Sequence, residues 1–176
     1  MNTTTETVPS AWVGCLSCYN DGKLIGKWLS DPDEIREYRC PEPVTVYNMH
    51  EELIVFDHEG MPLIRGECSP SSFADAIEWV EGLDSWRPVE AVTAWLDNLG
   101  LSWRDADLSD FDDAFAGFWD SEQEYAENLA EECGLIDSNA SWPNSYIDWE
   151  WATRDLFMDG YWSACADGGV YVFHDN

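Results

Sequence analysis

The order of hydrophobic and polar positions predicts short strands and helices from the start of the chain. Residues 11–19 (AWVGCLSCY) are rich in β-forming and small side chains and run into an Asn-Asp-Gly turn at 20–22. A helix is predicted to begin after Asp31, because Pro32 suits the first helical turn. The predicted elements are strands at 11–19, 23–29, 44–47 and 52–57 and a helix that ends near Cys40. Together they predict a small α+β domain over residues 8–66.

Helical spacing of apolar residues distinguishes the next segment. Phe73, Ala76, Ile77 and Val80 recur at that spacing after a predicted cap at Ser72. A second run of the same kind covers residues 89–99 and ends at a glycine, the residue typical of helix C-termini. Two short helices joined tightly form a hairpin, so residues 67–104 are predicted to be a small helical domain.

Residues 105–176 combine helices with a hairpin of strands. Ser121 and Glu124 form a capping box, which predicts a helix that runs to Cys133. The other predicted elements are a short helix at 110–116, a helix from Asn144 or Ser145 through Phe157, and strands at 161–165 and 170–174 joined by two glycines. The chain as a whole is therefore predicted to be α+β, with three small domains that are α+β, helical and α+β in turn.

Charge separates this chain from an ordinary domain. It has 36 acidic and 8 basic residues among 176 and a formal net charge of −28, yet 45% of its residues are hydrophobic and 14% are aromatic. That hydrophobic content excludes an acidic disordered tail. A field of this sign opposes direct binding to nucleic acid or anionic lipid and favours a cationic partner. Residues 105–176 hold 18 acids and one base, Arg154, so a charge-driven function is weighted toward them.

The sequence also predicts the compartment. Its first residues contain neither a basic stretch nor an apolar run, so no signal peptide is expected. No apolar stretch approaches the ~20 residues that a membrane span requires. Six cysteines are too few for a small disulfide scaffold. We therefore expect a cytoplasmic, reduced protein with no membrane partner.

Cys15 and Cys18 form a Cys-x-x-Cys pair that could begin a zinc site, with Cys40 and Cys68 as remote ligands. The later cysteines, however, do not form a second close pair. If residues 11–19 are one strand, side chains three positions apart also point to opposite faces. A redox pair would instead stand at a helix start after a strand, which this prediction lacks. We therefore expect free thiols and no metal site.

No catalytic motif emerges from the remaining polar residues. The aspartates from Asp105 resemble a calcium loop, but that loop needs glycine sixth and glutamate twelfth, where this chain has Asp110 and Ala116. With 36 carboxylates, some pair at a glycosidase-like spacing is inevitable and carries no weight. The three histidines have no Ser or Cys partner in a nucleophile motif, and no Gly-rich phosphate loop exists. We expect neither enzyme activity nor a cofactor.

Acidic residues follow one face of the helix after Ser121. Asp120, Glu124, Glu127 and Glu131 are spaced four, three and four residues apart. Like charges at that spacing destabilise a helix by about 0.2–0.5 kcal/mol per pair, and this helix has no basic residue to relieve them. A solvated helix face is the simpler explanation, but a surface made for solubility mixes both signs. The acidic field is therefore predicted to be the functional feature.

A surface of closely spaced carboxylates can occupy a protein groove that is built for DNA. Duplex DNA carries one charge per about 1.7 Å of axis, so 28 charges match roughly 48 Å of duplex, or about 14 base pairs. A dimer would match roughly twice that length. The candidate phosphate-mimicking residues are Asp105, Asp107, Asp110, Asp112, Asp113, Asp120, Glu122, Glu124, Glu127, Glu131 and Glu132.

Six segments of the sequence resemble the ArdA-type antirestriction proteins, which plasmids, transposons and phages carry. They are LSCYNDGKLIGKW at 16–28, EELIVFDHEG at 51–60, GFWDS at 117–121, YIDWE at 146–150, RDLFMDGYWS at 154–163 and GVYVF at 169–173. The resemblance as a whole covers most of the chain, from about Val13 to Phe173. The Cys-x-x-Cys pair and the many tryptophans depart from the family pattern.

The resemblance implies three small domains in a curved, elongated molecule that dimerises through its C-terminal part. It implies an inhibitor that mimics bent B-form DNA and occupies the DNA-binding groove of type I restriction–modification enzymes. The candidate dimer interface is the apolar stripe Tyr125, Ala126 and Leu129, followed by Tyr161 and Trp162. The alternative is that these residues are ordinary core.

Two other interpretations of the acidity stay open at this stage. The surface could mimic DNA toward a different basic protein, such as a nucleoid protein, a nuclease or a repressor. Only the resemblance favours restriction enzymes. The chain could also be a salt-adapted acidic domain with no binding role, although such chains are usually poor in large hydrophobic residues. This one has 11 Trp, 7 Tyr and 7 Phe.

Overall fold

The computed structural model describes residues 8–45, 49–137, 142 and 144–175. Within these ranges the chain has seven helices and two three-stranded antiparallel sheets, which confirms the predicted α+β class. It forms two compact units, Met1–Val89 and Glu90–Asn176. The boundary lies inside the predicted helical domain at 67–104. The elongated three-domain arrangement and the dimer remain predictions.

The first unit contains one sheet and three helices. Its strands are β1 (Ser10–Cys15), β2 (Gly26–Leu29) and β3 (Leu53–Glu59), and β1 lies between the other two, antiparallel to both. Its helices are α1 (Leu16–Asn20), α2 (Pro32–Glu37) and α3 (Pro70–Glu81). The predicted start of α2 is confirmed, because the Asp31 carboxylate accepts a hydrogen bond from the Glu34 N–H at 2.9 Å.

The opening strand is shorter than the sequence predicts. β1 ends at Cys15 and α1 begins at the next residue, whereas the pattern predicts one strand through Tyr19. The helical turn is held by a hydrogen bond from the Asp21 N–H to the Ser17 carbonyl at 3.1 Å. Cys15 is the N-cap of α1, and Cys18 lies one turn further on. The prediction that Cys15 and Cys18 point to opposite strand faces is therefore wrong.

Three other predicted boundaries in this unit shift. β2 begins at Gly26 rather than at residue 23, and α2 ends at Glu37, short of Cys40. α3 begins at Pro70 and is capped by Ser69, whose hydroxyl accepts a hydrogen bond from the Ser72 N–H at 3.1 Å. The predicted cap at Ser72 is therefore wrong, because the proline already fits the first helical turn. The strand predicted at 44–47 lies partly outside the described residues.

Side chains from the sheet and two helices form the core of the first unit. Val13 and Val55 from the sheet, Ile35 from α2 and Phe73 from α3 are completely buried. Arg36, next to Ile35, donates hydrogen bonds to the carboxylates of Asp75 and Glu78 on α3 at 2.7 Å. This guanidinium ties α2 to α3 at the edge of the apolar contact.

Replacing Arg36 with alanine should lower the melting temperature by a few degrees at neutral pH and by less in acid. The hydrogen bond from Arg36 lowers the pKa of Glu78 below its ordinary value. Because the pKa of Glu78 is lower in the folded than in the unfolded chain, its ionised form stabilises the fold at pH values above the unfolded pKa. That stabilisation is lost as the pH falls through the folded pKa. Calorimetry of wild type and Arg36→Ala from neutral pH into acid measures the difference. Arg39→Ala is the control, because Arg39 donates to the backbone carbonyls of Arg36 and Tyr38. A difference that stays constant with pH would contradict this assignment.

The second unit contains the other sheet. Its strands are β4 (Phe115–Trp119), β5 (Tyr161–Ala166) and β6 (Gly169–His174), with β6 in the centre and antiparallel to both. Its helices are α4 (Val89–Leu99), which starts at the boundary, α5 (Leu108–Ala114), α6 (Glu122–Glu132) and α7 (Trp149–Met158). The predicted hairpin is confirmed as β5–β6, with Gly168 at φ +83° in its turn. The predicted end of α4 is confirmed by Gly100 at φ +65°.

β4 is absent from the sequence-based prediction, which extends a helix through residue 116. α5 ends at Ala114, and the chain then pairs with β6, so that Phe115 stands opposite Phe173. A register shift between Phe115 and Gly117 marks a bulge, and Gly117 adopts φ +108° there. The strand depends on a partner more than fifty residues away, and the local pattern does not encode that pairing.

Aromatic rings form the core of the second unit. Phe111 of α5 is completely buried. Its ring centroid lies 5.7 Å from that of Trp95, 5.0 Å from that of Phe115 and 6.2 Å from that of Phe173. One side chain therefore joins α4, α5 and two strands of the sheet.

Candidate functional site

The acidic segment, residues 105–132, carries the eleven predicted phosphate-mimicking carboxylates. Nine of them are exposed, and Glu122 and Glu127 are half-buried. They lie on the 3₁₀ turn Trp103–Asp105, on α5 and α6, and on the connections around these helices. All belong to the second unit. Most of the set is therefore accessible to solvent.

On α5, one aspartate caps the helix and the others face solvent. The Asp107 carboxylate accepts hydrogen bonds from the Ser109 hydroxyl at 2.6 Å and from the Ser109 N–H at 3.0 Å. These bonds, the hydroxyl first, lower the pKa of Asp107 below its ordinary value. Asp110, Asp112 and Asp113 are exposed on either side of the buried Phe111. Asp107 thus has a structural task, while its neighbours present charge to solvent.

The predicted capping box at the start of α6 is confirmed. The Ser121 hydroxyl accepts a hydrogen bond from the Glu124 N–H at 3.1 Å, and the Glu124 carboxylate accepts one from the Asp120 N–H at 2.8 Å. Asp120 precedes the cap, so it is not on the helix and the predicted acidic stripe begins at Glu124. Glu127 accepts a hydrogen bond from the Gln123 amide at 2.6 Å.

Replacing Ser121 with alanine should destabilise the second unit by about 0.5–2 kcal/mol, because the Glu124 N–H loses its acceptor. Urea denaturation followed by circular dichroism measures the change. Ser121→Asp is the control, since aspartate caps helices as well as serine does, and it should retain the wild-type midpoint. Equal losses in both variants would show that the capping bond is not the cause.

The opposite side of α6 packs into the second unit. Tyr125 and Ala126 are only 5% and 6% exposed, and the Tyr125 ring contacts Trp119, Phe157 and Tyr161. Burial, and then a hydrogen bond with Tyr161, raise the pKa of Tyr125 above its ordinary value. The core interpretation that the sequence left open thus describes Tyr125 and Ala126.

The other three predicted interface residues are half-buried. They are Leu129, Tyr161 and Trp162. The Trp162 ring stacks on that of Phe173 with centroids 4.2 Å apart, so one of its faces belongs to the unit's own core. These three residues keep accessible surface and remain the predicted dimer contact.

An open groove of about 650 Å³ lies between the start of α6 and helix α7. Its lining includes the carboxylates of Asp120, Glu122 and Glu150 together with Arg154. The Arg154 guanidinium lies over the Trp151 ring at 5.3 Å from its centroid. One guanidinium against three carboxylates leaves the groove acidic, so its chemistry suits a basic side chain.

Within the described ranges, every helix is too short or too polar to cross a membrane.

Fold and charge thus define a class, that of small, strongly acidic α+β proteins. The chain matches the family model described as antirestriction protein (ArdA) over residues 11–171, and it belongs to that family. The resemblance inferred from the six sequence segments is confirmed. A family of non-catalytic inhibitors implies an antirestriction function and restriction enzymes as its targets. The comparison with curated proteins found no match.

Proposed function

We propose that this protein inhibits type I restriction–modification enzymes by mimicking B-form DNA in their DNA-binding groove. The observation that carries the proposal is the exposure of nine acidic side chains in the acidic segment. Residues 105–176 contain only one base, and a single guanidinium cannot neutralise eighteen carboxylates. The net field is therefore available to a basic partner.

Carboxylates can replace phosphates at the groups that hold DNA. DNA-binding grooves contact phosphates through Lys and Arg, and both groups form charge-assisted hydrogen bonds with carboxylates. Contacts to phosphates position DNA but carry no sequence information. An inhibitor that uses only such contacts blocks enzymes of different sequence specificity.

Charge density indicates that binding is spread over many residues. Along α6, Glu124, Glu127 and Glu131 give about one charge per helical turn of about 5.4 Å, whereas one strand of DNA carries one charge per about 3.4 Å of axis. This one face of the helix is too sparse to replace a strand. The aspartates of α5 and other exposed acids must contribute, and single substitutions should therefore cost little.

We further propose that the chain dimerises through its second unit, which would lengthen the mimic. Exposed apolar side chains on and near α7 support this, because Tyr146 is 80%, Trp151 60% and Met158 73% exposed. Trp151 and Met158 are seven residues apart, so they lie on the same helix face. Leu129, Tyr161 and Trp162 complete the proposed contact. Light scattering of the purified chain measures its mass and tests the dimer.

A competition titration tests the proposed function. A type I methyltransferase core bound to labelled target duplex is challenged with this protein at several salt concentrations. We expect displacement near stoichiometry that weakens steeply as salt rises, because salt screens exposed ion pairs. Circular dichroism of the same sample shows that the protein is folded. A folded protein that leaves the duplex bound at low salt would overturn the proposal.

Two further measurements test the alternative functions, which are mimicry of DNA toward another basic protein and salt adaptation. Equal displacement of DNA from an unrelated basic DNA-binding protein would support mimicry but remove the specificity for restriction enzymes. Melting curves at rising KCl test salt adaptation. A salt-adapted domain unfolds at low salt, whereas a DNA mimic stays folded there and binds most tightly.

A further inference from the structure

Three cysteines and one histidine of the first unit converge at the end of β1. Cys15 ends that strand, Cys18 lies in α1, Cys40 follows α2 and His50 precedes β3. The His50 Nδ1 lies 3.4 Å from the Cys15 Sγ and 3.3 Å from the Cys18 Sγ, and the Cys18 and Cys40 sulfurs are 3.6 Å apart. All four ligand atoms lie within 4.8 Å of one another.

We propose that these four side chains form a structural zinc site of the Cys₃His type. Zinc in such sites is tetrahedral, with Zn–S bonds of about 2.3 Å and Zn–N bonds of about 2.0–2.1 Å. That geometry places sulfurs about 3.8 Å apart and sulfur and nitrogen about 3.6 Å apart. The observed separations of 3.3–3.6 Å lie close to those values. The longest separation among the four atoms is at most 4.8 Å, so binding zinc shortens it by up to about 1 Å.

The surroundings suit a closed site. Cys15 and Cys18 are 1% exposed, and Cys40 and His50 are half-buried. Four protein ligands leave no open position, which is typical of structural rather than catalytic zinc.

The backbone of His50 is a second, independent observation. It adopts φ +52°, a left-handed conformation that residues with side chains seldom take. Such conformations persist where the surroundings hold them in place. A bond from zinc to the His50 Nδ1 would supply that restraint and would fasten the connection between α2 and β3 to the junction of β1 and α1.

The number of ligand groups favours a metal site over a redox pair. The structure does place Cys-x-x-Cys where a strand meets a helix, as a dithiol pair would require. A dithiol pair needs only two cysteines, whereas a third thiol, that of Cys40, and an imidazole converge on these two sulfurs and complete a set of four ligands. The fourth ligand is His50 and not Cys68, because the four ligand atoms that lie within 4.8 Å of one another are those of Cys15, Cys18, Cys40 and His50.

The test uses the full chain, purified under reducing conditions, stripped of metal and titrated with Zn²⁺ and separately with Co²⁺. We expect one ion per chain, and with cobalt the visible bands of a tetrahedral ion and the charge-transfer band of thiolate ligands. Cys40→Ser and His50→Ala should weaken zinc binding more than about 100-fold, since even the loss of a second-shell partner costs 10–100-fold. Cys68→Ser and Cys165→Ser are the matched controls and should bind as wild type does.

Wild-type measurements keep the test decisive if a variant fails to fold. Zinc should raise the melting temperature of the wild type, because it binds the folded state. The absence of stoichiometric binding by folded, reduced protein would overturn the proposal. An octahedral cobalt spectrum would do the same, because it would assign the ion to surface carboxylates. A Cys18–Cys40 disulfide in the reduced preparation, or an equal loss in Cys68→Ser and Cys40→Ser, would also overturn it.

Discussion

Converting six exposed carboxylates of the acidic segment to amides in one variant should weaken displacement of DNA from the methyltransferase by roughly tenfold or more, whereas each single change should barely weaken it. An exposed ion pair typically changes an equilibrium by about 1.4- to 5-fold, so six together should weaken binding by roughly tenfold to ten-thousand-fold. The six residues exclude the helix-capping Asp107 and Glu124, so that stability is spared. They are Asp105, Asp110, Asp112, Asp113, Glu131 and Glu132. Measurement is by the competition titration, with each variant checked by circular dichroism.

A variant with the same loss of charge in the first unit is the matched control. Six of its exposed glutamates are changed to glutamine, and Glu34 and Glu78 are left because they pair with Lys27 and Arg36. The six are Glu37, Glu51, Glu52, Glu59, Glu67 and Glu81. If the acidic segment forms the contact surface, this variant should lose far less inhibition than the first one. Equal losses would mean that total charge decides binding and that the acidic segment has no special role. A complete loss of inhibition from one Glu→Gln change would contradict the proposal that binding is spread over many carboxylates.

Much of the fold could be predicted because the signals are local. The capping box at Ser121, the Asp31 cap and the glycine turn of the β5–β6 hairpin each involve residues within a few positions of one another. Such short-range chemistry is visible in the sequence. The strand β4 is the opposite case, because FAGFW becomes a strand only by pairing with β6.

The same distinction between local and long-range signals applies to the candidate sites. The exposure of the acidic segment follows from its charge, which can be read from the sequence. The hydrogen bonds by which Asp107 caps α5 depend on the folded geometry and could not be predicted. The burial of Tyr125 in the unit's own core could not be predicted. An apolar stripe on a helix has the same spacing whether it packs against that core or against a second copy of the chain. The cysteine–histidine cluster could not be predicted from spacing. Its members come from β1, α1 and the connection between α2 and β3, and the turn into α1 after Cys15 reverses the expected direction of Cys18.

Replacing Phe111 with alanine should destabilise the second unit by about 3–5 kcal/mol, because the side chain is completely buried among three aromatic rings. Domains of this size have only about 5–15 kcal/mol of stability, so the variant should unfold at far lower urea concentration. Urea denaturation followed by circular dichroism measures the midpoint. Phe118→Ala is the control, since Phe118 on β4 is 46% exposed and should cost much less.

The same pair of variants separates a folded mimic from a simple polyanion. Neither substitution removes a charge, and Phe111 lies between aspartates that we propose to contact the enzyme. If the arrangement of carboxylates matters, Phe111→Ala should lose inhibition at temperatures where its second unit is unfolded and regain it on cooling, while Phe118→Ala inhibits throughout. If Phe111→Ala displaced DNA equally well when unfolded, charge alone would be sufficient. The structural part of the mimicry would then be wrong, whatever the outcome of the charge-neutralising variants.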